Sequence, residues 1–496
     1  MRTRFAPSPT GFLHVGGLRT ALYSFLIARQ TKGTFLLRIE DTDQARSVPG
    51  TVENILKTLD WAGIRPDEGV VPDNGQVAQK GAKGPYIQSE RQGLGLYRKY
   101  ADELVAKGHA YPCFCTSQRL EEMRKTQEAK KQAPMYDRLC LKLSAEEVRK
   151  RIAAGEPHVI RLKVPHERTI TFTDEIRGEM RFQGHTIDDQ VLLKSDGFPT
   201  YHLAHVADDR LMEIDLVIRG EEWLSSLPKH LLLFEYLGWP PPKYAHVPLL
   251  LNKDRSKLSK RQSAVAAEDY IAKGYLPEAL LNFLALLGWN PGTTQELFSM
   301  DELVEAFSLD RVQKAGAVFD TEKLDWLQGQ WMRKIPLKEF TVRIRPIVAG
   351  AYPAAAADPA FEKKAALIRE RITFFAEAPA MLGYFYEEPQ PTVELLANEK
   401  QKVTKALLPG ALQKIEEILR EIPEKEWNEE RVLAAVKAEV AKGEWKLGQL
   451  LWPLRASLTG RPFSPGAVEV ACALAAERGT EAVFERLERG KAVATR

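Results

Sequence analysis

The sequence predicts an α/β fold in which a mostly parallel sheet carries an inserted α+β domain and is followed by an all-α C-terminal half. Three features of the text lead there. From Thr3 to about Leu237, short strand-like runs alternate with amphipathic helices, the pattern of βαβ units. Between about Leu94 and Lys194, a long charged helix and a β-rich stretch interrupt that alternation. Beyond Asp320 almost no strand signal remains and the text reads as helices.

In chain order, residues 3–6 read as the first strand and 7–13 as a loop. The helix that follows places Leu18, Ala21, Leu22, Phe25 and Leu26 on one face and ends at Gly33. A second strand over 35–39 runs into Glu40-Asp41-Thr42-Asp43. The next helix opens near Pro49, a residue suited to the first helical turn, with Val52, Ile55, Leu56 and Leu59 inward. Polar groups thus stand at the carboxyl ends of strands, where open α/β sheets bind ligands. The interrupting stretch holds a helix over 118–131, a capping box at Ser144 and Glu147, and β-rich text over 159–182. Sheet text resumes at 191–193 and 214–218, the latter ending in Arg219-Gly220-Glu221-Glu222-Trp223. After Asn252 come a basic loop, a helix opening at Pro277 and another capped by Ser299 with Glu302. Two helical bundles, separated near 388–392, close the chain.

Composition narrows the function classes. With 44% hydrophobic and 28% charged residues, 496 residues describe a soluble globular protein of several domains, and charge breaks every apolar run short of a membrane span. The opening MRTRFAPSPTG sets two prolines where an export signal carries its apolar stretch, and four cysteines are few for a secreted chain, so the cytoplasm is expected. A net charge of +3 means that any nucleic-acid surface is a local patch.

Two segments carry chemistry. The first, His14-Val15-Gly16-Gly17, lies between a strand and a helix start, where paired glycines let backbone approach a bulky ligand and the helix N-terminus favours negative charge. Alone, it also reads as a tight turn with a surface His. The second is Lys253-Asp254-Arg255-Ser256-Lys257-Leu258-Ser259-Lys260-Arg261. Its five cations suit a loop that closes on polyphosphate; alone, it also reads as a solvated charge run.

In this order, His14-Val15-Gly16-Gly17 and Lys257-Leu258-Ser259-Lys260-Arg261 resemble the signature motifs of class I aminoacyl-tRNA synthetases. The segments Arg4-Phe5-Ala6-Pro7-Ser8-Pro9-Thr10-Gly11, Arg38-Ile39-Glu40-Asp41-Thr42-Asp43, Thr200-Tyr201-His202-Leu203 and Ile218-Arg219-Gly220-Glu221-Glu222-Trp223 are similar to those of the bacterial glutamyl-tRNA synthetases. The similarity reaches Pro453-Leu454-Arg455-Ala456-Ser457-Leu458-Thr459-Gly460 and so spans nearly the whole chain.

The resemblance implies a class I Rossmann-type catalytic domain in two halves, 1–93 and 195–252, around an acceptor-stem-binding insert, 94–194. It further implies a helical stem-contact domain with the basic loop, 253–330, and two all-α anticodon-binding domains, 331–390 and 391–496. The implied activity takes L-glutamate and ATP, the latter with Mg²⁺, to glutamyl-adenylate and passes the acyl group to the 3′ end of tRNA(Glu). The alternatives are a non-discriminating enzyme that also charges tRNA(Gln) and a catalytically silent RNA-binding scaffold. His14, Gly16 and Gly17 are the implied nucleotide holders, with Lys257 and Lys260 over the pyrophosphate. Arg4 and Arg219 are the implied carboxylate partners, Ser8 and Glu40 meet the amino-acid end, and Tyr201 lines the pocket, as does His205 where relatives often carry Asn. Arg371 matches an Arg that reads an anticodon base in some relatives, and Trp427, Trp445 and Trp452 are candidate stacking platforms. Cys113, Cys115 and Cys140 have the spacing of a zinc site found in some members, but Lys142 stands in place of its His. The expectation is therefore an incomplete site without zinc. The family also implies a monomer.

Overall fold

The computed structural model describes residues 1–258 and 265–495. Its first three strands, β1 (Arg2–Phe5), β2 (Thr34–Leu37) and β3 (Glu68–Asp73), are parallel neighbours joined by the helices Val15–Gln30 and Thr51–Trp61. Strand β4 (Gln76–Lys80) turns back on β3. The sequence reading passed over this hairpin, although Asn74-Gly75 marks it: both residues have positive φ, 47° and 80°, as a two-residue type I′ turn requires.

The insert contributes β5 (Ala110–Cys113), β6 (Val159–Leu162), β7 (Thr169–Asp174), β8 (Gly178–Gln183) and β9 (Val191–Leu193). Here one expectation is corrected. Residues 191–193 do not return the chain to the main sheet but pair antiparallel with β6, in a three-stranded sheet of order β5-β6-β9. Apolar text of three residues names a strand without naming its partner. The box at Ser144 is half formed: its side chain accepts the Glu147 N–H.

The main sheet resumes with β10 (Leu216–Gly220) and β11 (Lys243–Val247), giving the order β11-β10-β1-β2-β3-β4. The chain therefore leaves β1 towards β2 on one side and returns as β10 on the other, and the crevice beyond the carboxyl ends of β1 and β10 is a topological switch point. Two short strands, β12 (Leu250–Leu251) and β13 (Ala317–Val318), pair beside it. The Val15–Gln30 helix buries the expected Leu18, Ala21, Leu22, Phe25 and Leu26, and Arg19, Tyr23 and Ser24 as well. It is covered on a second side, where Tyr23 Oη donates to the Ala285 carbonyl at the end of the Pro277–Leu286 helix.

The chain divides into two compact units, Met1–Leu324 and Asp325–Arg496. Among the described residues the second unit has no strand. Residues 388–392 carry no helix, at the point where a break between helical bundles is expected. Arg486 binds carbonyls on both sides of it, those of Tyr384 and Leu458, at 2.8 and 2.7 Å. No helix among the described residues is long and apolar enough to cross a membrane.

Candidate active site

A cavity of about 880 Å³ opens at the switch point. Arg4, Ser8, His14, Gly16, Gly17, Glu40, Tyr201, Arg219 and Lys257, all singled out from the sequence, line it together. Lys260 lies outside the described residues, as do Ser259 and Arg261.

His14 caps the Val15–Gln30 helix. Its Nδ1 accepts the Gly16 N–H at 2.9 Å, which leaves the ring proton on Nε2. The ring lies over Gly16, where a Cβ would sit 3.2 Å from Nδ1, so the glycine makes room for the imidazole. The basic loop is anchored here at both ends. Lys257 bridges to Leu251, and beyond the loop Val265 and Ala267 bond to Val15 and Leu13 on either side of His14. Motifs more than two hundred residues apart thus meet at one helix N-terminus, where phosphate charge is favoured.

Arg219 stands one residue before the end of β10. It is 5% exposed, and its hydrogen-bond partners among the described residues are uncharged. Nε donates to His246 Nε2 at 2.9 Å, Nη1 to Tyr201 Oη at 3.0 Å and towards His230 Nδ1 at 3.3 Å, and Nη2 to the Trp223 carbonyl at 3.4 Å. Both histidines are held neutral: burial pushes the imidazole of His246 below its ordinary value, and that of His230 well below. No carboxylate among the described residues touches the guanidinium directly, so its outer edge is left for an anionic ligand.

Arg4 is held differently. Its guanidinium reaches Asp209 at 3.2 Å and His205 Nδ1 at 3.3 Å. Arg38, fully buried, spans Glu40 and Asp209 at 2.7 Å each. Burial alone would raise the Glu40 carboxyl, but Arg38 overrides it and keeps it below the usual carboxylate range. His205, expected on the pocket wall, stands fully buried behind it between Arg4 and Asp209, and burial takes its pKa down to about 4. An imidazole reaches Asp209, one helical turn on, from the Tyr201–Leu211 helix. Asp209, His230, His246 and Asp174 went unread in the sequence because an isolated buried polar residue has no local signature.

The remaining candidates stand elsewhere. Cys113, Cys115 and Cys140 converge with their sulfurs within 4.8 Å of one another, and Tyr136 Oη lies 3.3 Å from the first two. Tyr136 Oη also accepts the Cys140 N–H at 3.0 Å, whereas Lys142 is exposed. In the second unit Arg371 follows the Phe361–Ile368 helix and is gripped by both oxygens of Glu469, at 3.2 and 2.8 Å. Trp427 and Trp452 are half-buried and donate to carbonyls of their own unit, and Trp445 packs on Gly410. Among the described residues of this unit, Phe463, between two prolines, is 80% exposed and Trp326 42%, two positions the sequence reading did not single out.

Residues 1–326 match the family of class I tRNA synthetases (E and Q), catalytic domain, and residues 337–491 match an anticodon binding domain family. The glutamate–tRNA ligase of Chlorobium phaeovibrioides is 47% identical over 515 aligned residues, covering 100% of this chain and 95% of the relative. That of Finegoldia magna is 44% identical, with 99% of both covered. Among solved structures, glutamate tRNA ligase from Elizabethkingia meningosepticum in complex with its amino acid superposes with a TM-score of 0.83 at 34% identity, covering 98% of this chain and 99% of that one. Glutamate-tRNA synthetase from Elizabethkingia anophelis does so with 0.85 at 35% identity, covering 99% of both. The chain belongs to the glutamate–tRNA ligases, a family of class I aminoacyl-tRNA synthetases.

Proposed function

We propose that the chain joins L-glutamate to tRNA(Glu) at the expense of ATP. In the first step a glutamate α-carboxylate oxygen attacks the α-phosphorus of ATP, forming glutamyl-adenylate as pyrophosphate leaves. In the second a hydroxyl of the terminal tRNA ribose attacks the acyl carbon and AMP leaves. Mg²⁺ accompanies ATP as part of the substrate. The observation that carries the reading is Arg219: a buried cation that no carboxylate among the described residues contacts directly, in the same cavity as the His14 helix N-terminus and Lys257. Its planar fork suits the side-chain carboxylate of glutamate, and a glutamine amide would leave the charge unbalanced. Arg4 supports that carboxylate end, and Glu40 and Ser8 face the ammonium. The protein supplies alignment and charge rather than a covalent intermediate.

Lys257 and Lys260 act on the pyrophosphate as it separates. Lys260→Ala is therefore expected to slow adenylate formation by about 10²-fold or more while the Kd for tRNA stays within about 3-fold. Single-turnover adenylate formation and tRNA binding measure the two. Equal losses in both would make the loop an RNA contact.

In the insert the geometry supports a zinc ion where Lys142, standing in place of the fourth-ligand His, argued against one. Tyr136 supplies the fourth donor that Lys142 cannot, and the four atoms have edges of 3.3–3.5 Å where these are measured. A tetrahedral zinc with sulfur bonds of about 2.3 Å requires edges of about 3.8 Å, so little movement is needed. Cys113, Cys115, Cys140 and Tyr136 would hold the ion, whose contribution is to tie β5 to the loop over 136–140. Purified protein is expected to carry about one zinc per chain, and Tyr136→Phe to weaken its retention against a chelator. Metal analysis that finds no zinc, and none taken up on addition, removes the site.

The second unit reads the anticodon in this account, with Arg371 exchanging Glu469 for a base edge and Phe463 as a stacking surface. A cytoplasmic location suits a ligase that draws on ATP and tRNA, and the monomer remains what the family resemblance implies.

A further inference from the structure

Arg219 is held from behind by two buried residues, one of which comes from the insert. Strands β10 and β11 are parallel neighbours in which Arg219 and His246 are directly paired. Arg219 Nε donates to His246 Nε2 at 2.9 Å, and on the other edge of the ring His246 Nδ1 meets Asp174 Oδ2 at 2.6 Å. Asp174 is the last residue of β7 and is 1% exposed. Its Oδ1 accepts the backbone N–H groups of Ile176 and Arg177, both at 3.0 Å, and that of His246 at 3.3 Å. Arg177 in turn donates through Nε to the His246 carbonyl at 3.2 Å and through Nη2 to Glu221, two residues beyond Arg219.

Each link fixes the next. Backbone donors lock the carboxylate; the carboxylate keeps the ring proton on Nδ1; the lone pair this leaves on Nε2 accepts Arg219 Nε. With Nε engaged behind, the guanidinium cannot rotate about its stem, and its Nη edge is the one turned towards Tyr201 and the cavity. Apolar residues of similar volume would fill the space between β7 and β11 without burying an ionised group; the polar chain adds orientation. A fork recognises a carboxylate only when both N–H groups lie in one plane with it, so orientation here is selectivity.

We propose that Asp174 and His246 are positioning residues for substrate selection, holding Arg219 so that its Nη edge, beside Tyr201, faces the glutamate side-chain carboxylate. This rests on the reading that Arg219 binds that carboxylate. The test is steady-state ATP–pyrophosphate exchange, with tRNA present, on full-length Arg219→Ala, His246→Phe, His246→Gln and Asp174→Ala. His246→Phe is expected to raise the KM for glutamate by about 30-fold, with kcat and the KM for ATP within about 3-fold. His246→Gln, which keeps an acceptor near the Nε2 position, is expected to return the glutamate KM to within about 5-fold of wild type. Asp174→Ala, which frees the ring to change tautomer, is expected to raise it about 10-fold, and stands in should His246→Phe not fold. An unchanged glutamate KM in the two loss variants, or a joint change in both KM values and kcat that Gln does not rescue, overturns the proposal. If Arg219→Ala itself leaves the glutamate KM unaltered, the carboxylate reading fails; if it raises that KM while the others do not, only the positioning chain fails.

Discussion

Arg219→Ala raises the KM for glutamate by about 10²-fold, with the KM for ATP within about 3-fold of wild type. The size follows from the loss of charge-assisted contacts to a guanidinium that is 5% exposed, where hydrogen bonds to charged groups are worth about 1.5–3 kcal/mol each. Arg219→Lys recovers little, because an ammonium lacks the planar fork and cannot reach Tyr201, His246 and the substrate together. The split between the two substrates matters, since Arg219 and His14 line one cavity from different elements, β10 and the start of the Val15–Gln30 helix. Steady-state exchange kinetics measure both KM values. An unaltered response to glutamate removes Arg219 from the binding site.

Arg38→Met destabilises the first unit by about 3–5 kcal/mol, seen as a lowered Tm and denaturation midpoint. Arg38 is fully buried and balances Glu40 and Asp209, which stay buried and ionised after its removal with Arg4 alone to offset them. The same cluster sets the response to acid. Burial acts to raise the Asp209 carboxyl, but Arg4 and Arg38 outweigh it and hold it well below the usual range, so its stabilisation is full above about pH 4 and is lost as pH falls further. His205, with its pKa lowered by burial to about 4, and His202, lowered to about 3, bind fewer protons folded than unfolded below about pH 6.5. Both effects have one sign. Tm is expected to fall steadily from about pH 6.5 to 4, and a flat profile would mean that these histidines protonate without strain in the folded state.

What could be read from the sequence follows what the sequence repeats locally. The Val15–Gln30 helix was legible from its apolar spacing, the Pro277–Leu286 helix from its opening proline, and the Ser299 capping box from the Glu three residues on; all three are present. The two motif segments were legible because their residues are contiguous, and the structure brings His14 and Lys257 to one cavity. The β3–β4 hairpin was missed despite its Asn74-Gly75 turn, since β3 lacks a long apolar run. Residues 191–193 were read as strand but given the wrong partner, because pairing is settled by the sheet and not by three residues. The supports of the site escaped for the same reason. Asp174 and His246 lie 72 residues apart and meet only because β7 packs against β11. Tyr136 was visible as a nearby candidate ligand and set aside for not matching the pattern, and the fold brings its hydroxyl to Cys113 and Cys115.

The central claim is that the cavity activates glutamate for attachment to tRNA(Glu), and aminoacylation with labelled glutamate tests it most directly. Purified enzyme in trace amounts, with ATP and Mg²⁺, is given tRNA(Glu) and, separately, tRNA(Gln). The account predicts that acid-precipitable label accumulates on tRNA(Glu) and not on tRNA(Gln). Label on both would mark a non-discriminating enzyme, and label on neither would contradict the account.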